Sequence, residues 1–161
     1  MGRFNIKDKK DFEEVKTSAE IMYSNLGEVY CPYFKEKIIF NAKGFRHLKF
    51  KSDQVARVKE DQYARLKLLR FAPLIIKESR TVQGICEVKK FERQNINSRW
   101  ENVLKEVTFY EFVAVVENLR IKVIVKWVEG GQKHFWSVIP YWKIDKSGGK
   151  RILHSFDREI D

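Results

Sequence analysis

Cutting an RNA phosphodiester without a metal needs a base, an acid and cations for the phosphate, and an imidazole, a guanidinium and a hydroxyl can fill those roles. This sequence offers each in patterned surroundings: His47 in GFRHLKF, Arg65 in YARLKLL and Ser137 in HFWSVIPYW. RNA carries its own nucleophile, the 2′-hydroxyl. A protein has only to take that proton, supply one to the leaving 5′-oxygen and face the crowded phosphorane with positive charge. Histidine suits the proton transfers because its unperturbed pKa is about 6.5. Arginine suits the phosphate because its planar fork matches two oxygens, and a serine hydroxyl can orient the phosphate or relay a proton. Each residue also has a plain structural role open to it. His47 can cap a helical turn or lie at the surface, Arg65 can pair with Asp61 one helix turn away, and Ser137 can relieve crowding among aromatics. His134, beside Gly130-Gly131, reads as exposed.

Other chemistries find little support. His47, His134 and His154 are scattered, and Cys31 and Cys86 lie far apart, with no HExxH or CxxC spacing. No metal site and no cofactor are expected. The glycine pairs Gly130-Gly131 and Gly148-Gly149 lack the spacing of a phosphate-binding loop. The two cysteines read as buried thiols in a reducing compartment, hence a cytoplasmic protein. No apolar run reaches the roughly 18 residues of a membrane span, and MGRFNIKDKK lacks the apolar core of a secretory signal.

The charge points to a polyanion. Lys and Arg number 32 against 22 Asp and Glu, a net +10, which favours nucleic acid, RNA first, over an anionic membrane. Contacts are expected from Lys43, Arg46 and Lys49 around His47, from Arg99 beside Trp100, and from Arg120, Lys122 and Lys126 on one strand face. Trp136 and Trp142 could stack on bases, although core packing is the commoner fate of strand tryptophans. The lysine face could equally be a solvated surface.

These residues must be positioned by an α+β architecture. Asp8–Leu26 has helical spacing, with Asp8 as cap and Gly27 as stop. Val29–Tyr33 and Lys37–Asn41 are short strands, Asn41 caps a short helix over Ala42–Phe50, and Lys59–Leu69 is a helix, followed by a second from Pro73. Val82–Gln94 reads as a strand with a bulge at Lys89-Lys90, and Asn95–Leu104 as a loop. Val107–Glu117, Leu119–Glu129 and Lys133–Trp142 read as an antiparallel meander cut by Glu117-Asn118 and Gly130-Gly131. The expected organisation is an N-terminal helical segment (1–28), an α+β domain (29–142) with helices before an antiparallel sheet of about four strands, and a polar, loosely docked tail (143–161).

GFRHLKF, DQYARLKLL and the meander ending in HFWSVIPYW together resemble the phage-associated barnase–EndoU–colicin–RelE nuclease group. The resemblance covers roughly Val29–Trp142. It implies a barnase- or RelE-like fold and a toxin-like, metal-independent endoribonuclease that leaves a cyclic phosphate. It places the group's histidine on His47, its arginine on Arg65 and its hydroxyl on Ser137. The sequence departs from the group in having Val138-Ile139-Pro140 after the serine, where a Thr-x-Tyr pattern is common. The expected partners are an RNA, such as tRNA or mRNA, and an acidic antitoxin or immunity protein. The alternatives are a non-catalytic RNA- or DNA-binding module, or a mobile-element protein whose basic face holds an acidic partner.

Overall fold

Two polar side chains start the first two helices. In the computed structural model, which describes residues 4–52, 54–140, 159 and 161, Asp8 accepts from the Asp11 N–H at 2.8 Å and opens α1 (Lys9–Ser24). Gly27, at φ +63°, turns the chain into the hairpin β1 (Glu28–Cys31) and β2 (Glu36–Ile39). Asn41 then accepts from the Gly44 N–H at 3.3 Å and opens α2 (Ala42–Lys49). A small ribbon, β3 (Phe50–Ser52) and β4 (Val55–Ala56), leads to α3 (Lys59–Leu68). A 3-10 turn at Leu69–Phe71 joins it to α4 (Ala72–Glu78), with Pro73 in the first turn.

Four strands follow: β5 (Gly84–Ile96), β6 (Arg99–Val116), β7 (Leu119–Val128) and β8 (His134–Pro140). Together with β1 and β2 they form one six-stranded sheet in the order β1-β2-β8-β7-β6-β5. Every pairing in it is antiparallel except β2 with β8, a parallel contact registered at Ile39 and His134. The α+β class stands, but the sheet has six strands rather than about four, because the early hairpin joins it at the β8 edge. The strands β1 and β2 also come between α1 and α2, so the helices do not all precede the sheet.

Two further expectations change. Asn95–Leu104 is not a loop. Asn97 and Ser98, at φ +51° and +66°, make a tight turn, and Arg99 and Trp100 lie on β6 opposite Ile96 and Asn95. Lys89 and Lys90 keep regular register with Glu106 and Lys105, with no bulge between, and Phe91 projects to solvent at 71% exposure. The bulge lies on β8 instead: Val125 faces Phe135 and Ile124 faces Ser137, so Trp136 is the extra residue.

The helices cover one face of the sheet. Leu66, Leu69 and Ile76 pack with Phe112, Val123, Val125, Phe135 and Val138 in one buried cluster, and burying a side chain of this size stabilises by about 1.5–3 kcal/mol. Phe12, Ala19 and Tyr23 bury the inner side of α1. The opposite face carries a smaller cluster of Val107, Phe109 and Ile124, with Trp136 against it. Lys122 and Lys126 belong to that face but do not form an open ladder of charge. They are 6% and 4% exposed. Lys122 pairs with Glu111 at 2.9 Å, and Lys126 pairs with Glu92 and Glu159, each at 3.3 Å. Desolvated ammonium groups need such partners, and each found a carboxylate. The expected tail, 143–161, and the end of the last strand at Trp142 lie outside the described residues, apart from Glu159 and Asp161.

Candidate functional site

The bulge at Trp136 sets the geometry of the site. Without it Phe135 and Ser137 would share a face by simple alternation. With it Phe135 stays in the main core, stacked on Phe40 at 5.0 Å, while Trp136 and Ser137 meet α2 and α3. Helix α2 reaches this edge closely. A Cβ on Gly44 would stand 2.3 Å from the Phe135 carbonyl oxygen and 2.8 Å from the Tyr23 hydroxyl, so only glycine lets the helix sit there. One turn later His47 stacks on the Trp136 indole, ring centroids 4.0 Å apart and 20° from parallel.

Helix α3 and the segment leading into it supply the cations. Asp61 and Arg65 stand one turn apart on α3, and Arg57 lies just before the helix cap at Val58. Arg65 Nε donates to Asp61 Oδ1 at 2.6 Å, and Arg57 Nη1 donates to Asp61 Oδ2 at 3.3 Å. Arg57 also ties down α2. Its Nε donates to the His47 carbonyl at 2.9 Å, and its Nη2 lies 3.1 Å from His47 Nε2. A guanidinium can only donate, so Nε2 is the acceptor and the imidazole proton sits on Nδ1, a tautomer assigned from the network. Arg65 Nη1 donates to Ser137 Oγ at 2.7 Å.

One oxygen closes the arrangement. The backbone oxygen of Asp161, 24 positions after Ser137, accepts from both Arg65 Nη1 and Ser137 Oγ, and the Asp161 backbone also hydrogen-bonds His47. Of the three residues singled out from the sequence, Arg65 and Ser137 thus share a single acceptor, and His47 stands beside it, held through Arg57. All are buried: 0%, 0% and 4% exposed.

Burial dominates the electrostatics. It pushes the His47 pKa down to about 2, helped by the nearby Arg57, Arg65 and Lys126 cations and opposed by the bond to Asp161. His47 is therefore neutral here, a donor at Nδ1 whose other nitrogen is occupied. Burial also lowers Arg57 to about 10 and lowers Arg65, with Asp61 opposing both shifts. His134 is buried rather than exposed. Its pKa falls to about 4, through burial first and Lys126 next, and its Nε2 has no hydrogen-bond partner among the described residues.

The expected nucleic-acid contacts divide. Lys43 and Arg46 are exposed on α2 beside the site, Arg46 over the Phe50 ring at 4.6 Å. Lys49 is half-buried over Phe45 at 4.8 Å. Trp136 is half-buried between His47 and the Lys126 ammonium, which lies 4.2 Å from the ring centroid. Arg99 and Arg120 are exposed at opposite ends of the sheet. Arg120 is registered with Val115, sixteen residues from Arg99 along β6, roughly 50 Å at the rise of a strand. They cannot serve one short site together.

Arg57 and Asp61 complete the network, yet Asp61 was read only as a partner for Arg65 across a helix turn. The four-residue spacing of Asp61 and Arg65 on α3 was the available signal. Nothing in the sequence marked Asp161. Among the described residues no group of three His, Cys, Asp or Glu side chains could hold a metal ion, and no helix is long and apolar enough to cross a membrane. A groove of about 500 Å³ lies elsewhere, between α4 and the far end of β6, lined by residues such as Leu74, Arg80 and Val115.

Fold and site together define an α+β protein with a buried His–Arg–Asp–Arg–Ser network where two helices meet a bulged strand. The chain matches no family model, no curated protein and no solved structure.

Proposed function

We propose that this protein is a metal-independent endoribonuclease, toxin-like in kind, which cleaves RNA by 2′-hydroxyl attack and leaves a cyclic phosphate. The observation that carries the reading is that Arg65 and Ser137 donate to one oxygen beside a buried His47 that Arg57 ties to the same network. A guanidinium and a hydroxyl aimed at one oxygen are donors a scissile phosphate needs as charge builds on it, and an imidazole next to them can carry a proton. In this reading Arg65 clamps the phosphate, Ser137 orients it and His47 carries the proton. Asp61 holds both arginines, and Arg57 sets the imidazole tautomer. Lys43 and Arg46 guide the backbone from the rim, and the Trp136 face offers a surface for a base once the site opens. The similarity of GFRHLKF, DQYARLKLL and HFWSVIPYW to the barnase–EndoU–colicin–RelE group supports the same reading. A cytoplasmic setting with an acidic antitoxin or immunity protein fits both the charge and the two free cysteines.

The test is cleavage of a labelled RNA in excess chelator. The wild-type chain is expected to give cyclic-phosphate ends, and His47→Ala to lose at least a hundredfold in rate, the usual contribution of a positioned proton carrier. Equal rates in the two chains would remove His47 from the chemistry.

One observation favours a second reading. With Nε2 engaged by Arg57 and the pKa near 2, His47 is a donor and not a base in this arrangement. A site that only binds the phosphates of RNA or DNA would look the same. It predicts tight binding by the wild-type chain with no turnover under any condition.

A further inference from the structure

We infer that Glu159 and Asp161 form an intramolecular latch that occupies the phosphate position of this site, so that the chain as described is the closed form. The inference rests on the reading of the site as an RNA-cleaving one and adds its regulation. Three observations converge on it. The Asp161 backbone oxygen takes the Arg65 and Ser137 donors that a phosphate oxygen would need. Glu159 sets a carboxylate between Lys126 and Lys90, at 3.3 and 3.1 Å, where an RNA backbone entering beside Trp136 would place its own charge. Arg65 and Ser137 are fully buried with Asp161 against both, so RNA needs the site to open, and Asp161 holds the oxygen position that RNA would take.

The latch is built to be displaced. Its contacts with Arg65, Ser137, Lys90 and Lys126 each set an oxygen on a cationic or hydroxyl donor, and RNA phosphates satisfy the same donors. Glu159 itself is part-exposed, its side chain 29% exposed, and its pair with the part-exposed Lys90 is screened by salt; buried Lys126 keeps Glu92 as a second carboxylate when Glu159 leaves. Opening admits water to His47, removing the burial that keeps it neutral.

The experiment compares the full chain with one lacking residues 159–161 and with the full-length variant Glu159→Lys, which sets like charges against Lys90 and Lys126. Circular dichroism checks that each is folded. Two readouts are taken: modification of His47 by diethyl pyrocarbonate, mapped by peptide mass, and RNA cleavage in excess chelator. The shortened chain is expected to expose His47, raising its modification rate at least tenfold, and to cleave RNA at least tenfold faster. Glu159→Lys is expected to move both readouts the same way, to a lesser extent. Equal His47 modification in all three chains overturns the latch, whatever the activity. A shortened chain that loses its cooperative melt also overturns it, by showing that Asp161 is part of the fold. Exposure of His47 with no cleavage by any chain keeps the latch and rejects the nuclease reading.

Discussion

His47 lies between an indole and a guanidinium, and both neighbours bear on its protonation. The ring stacked on Trp136 keeps water away, and Arg57 occupies the nitrogen that would accept a proton. The cost appears in stability. An unfolded histidine titrates near 6.5, whereas folded His47 and His134 titrate near 2 and 4. Below pH 6.5 the unfolded chain binds protons that the folded chain refuses, so stability falls as pH drops towards those values. At pH 5 each histidine costs on the order of 2 kcal/mol relative to neutral pH. Thermal melts from pH 7.5 to 5 are expected to show a falling midpoint, with a shallower slope in His134→Gln. An unchanged slope in that variant would mean that His134 is not buried as a neutral ring. At this scale Asp61 also changes standing. An exposed pair with Arg65 would stabilise by about 0.2–0.5 kcal/mol. Between two buried guanidiniums the carboxylate is what makes their burial tolerable.

Elements bring these residues together through two local devices, the bulge on β8 and the close seat of α2. The seat depends on Gly44. Replacing it with alanine would gain up to about 1 kcal/mol of helix propensity. The new methyl would meet a backbone oxygen at 2.3 Å, and that oxygen belongs to a sheet strand that cannot rotate away. Overpacking of this kind costs about 1–3 kcal/mol, so the steric term wins. Gly44→Ala is expected to lower the melting midpoint and to move α2 off β8, loosening the His47–Trp136 stack. Tryptophan fluorescence would report that as a change in emission at temperatures where the variant is still folded. An unaltered melt and emission would show that α2 does not pack as tightly as described.

Across the whole molecule, the charge and its distribution govern partner binding. A net +10 suits a polyanion, but Lys122 and Lys126 are spent on internal carboxylates. If RNA is the partner, the exposed Lys43 and Arg46 on the rim of α2 stand nearest the site. RNA affinity is expected to fall linearly with the logarithm of salt concentration, by about 0.7 in slope for each phosphate neutralised on a single strand. Replacing Lys43 and Arg46 together by alanine should shrink the slope by about 1.4, one phosphate contact each. Arg120→Ala, at the distant turn of β6 and β7, should leave it unchanged. Filter-binding titrations over a range of salt decide this, and equal slopes for the wild type and the Lys43/Arg46 variant would move the RNA path away from α2.

The sequence by itself determined the α+β class, the caps at Asp8 and Asn41, and the meander with its two turns. Those follow from short-range physics: helical and strand periodicity, capping side chains and turn residues that tolerate positive φ. The joining of the β1–β2 hairpin to the sheet, the Trp136 bulge, the burial of Lys122 and Lys126 and the place of Asp161 were decided only in the tertiary structure. Whether a lysine on an alternating strand meets water or a carboxylate depends on what the rest of the chain lays over it, and strand periodicity is the same in both cases. For the same reason a site of histidine, arginine and serine could be named from residue types, while its closure by an oxygen 24 positions beyond Ser137 could not.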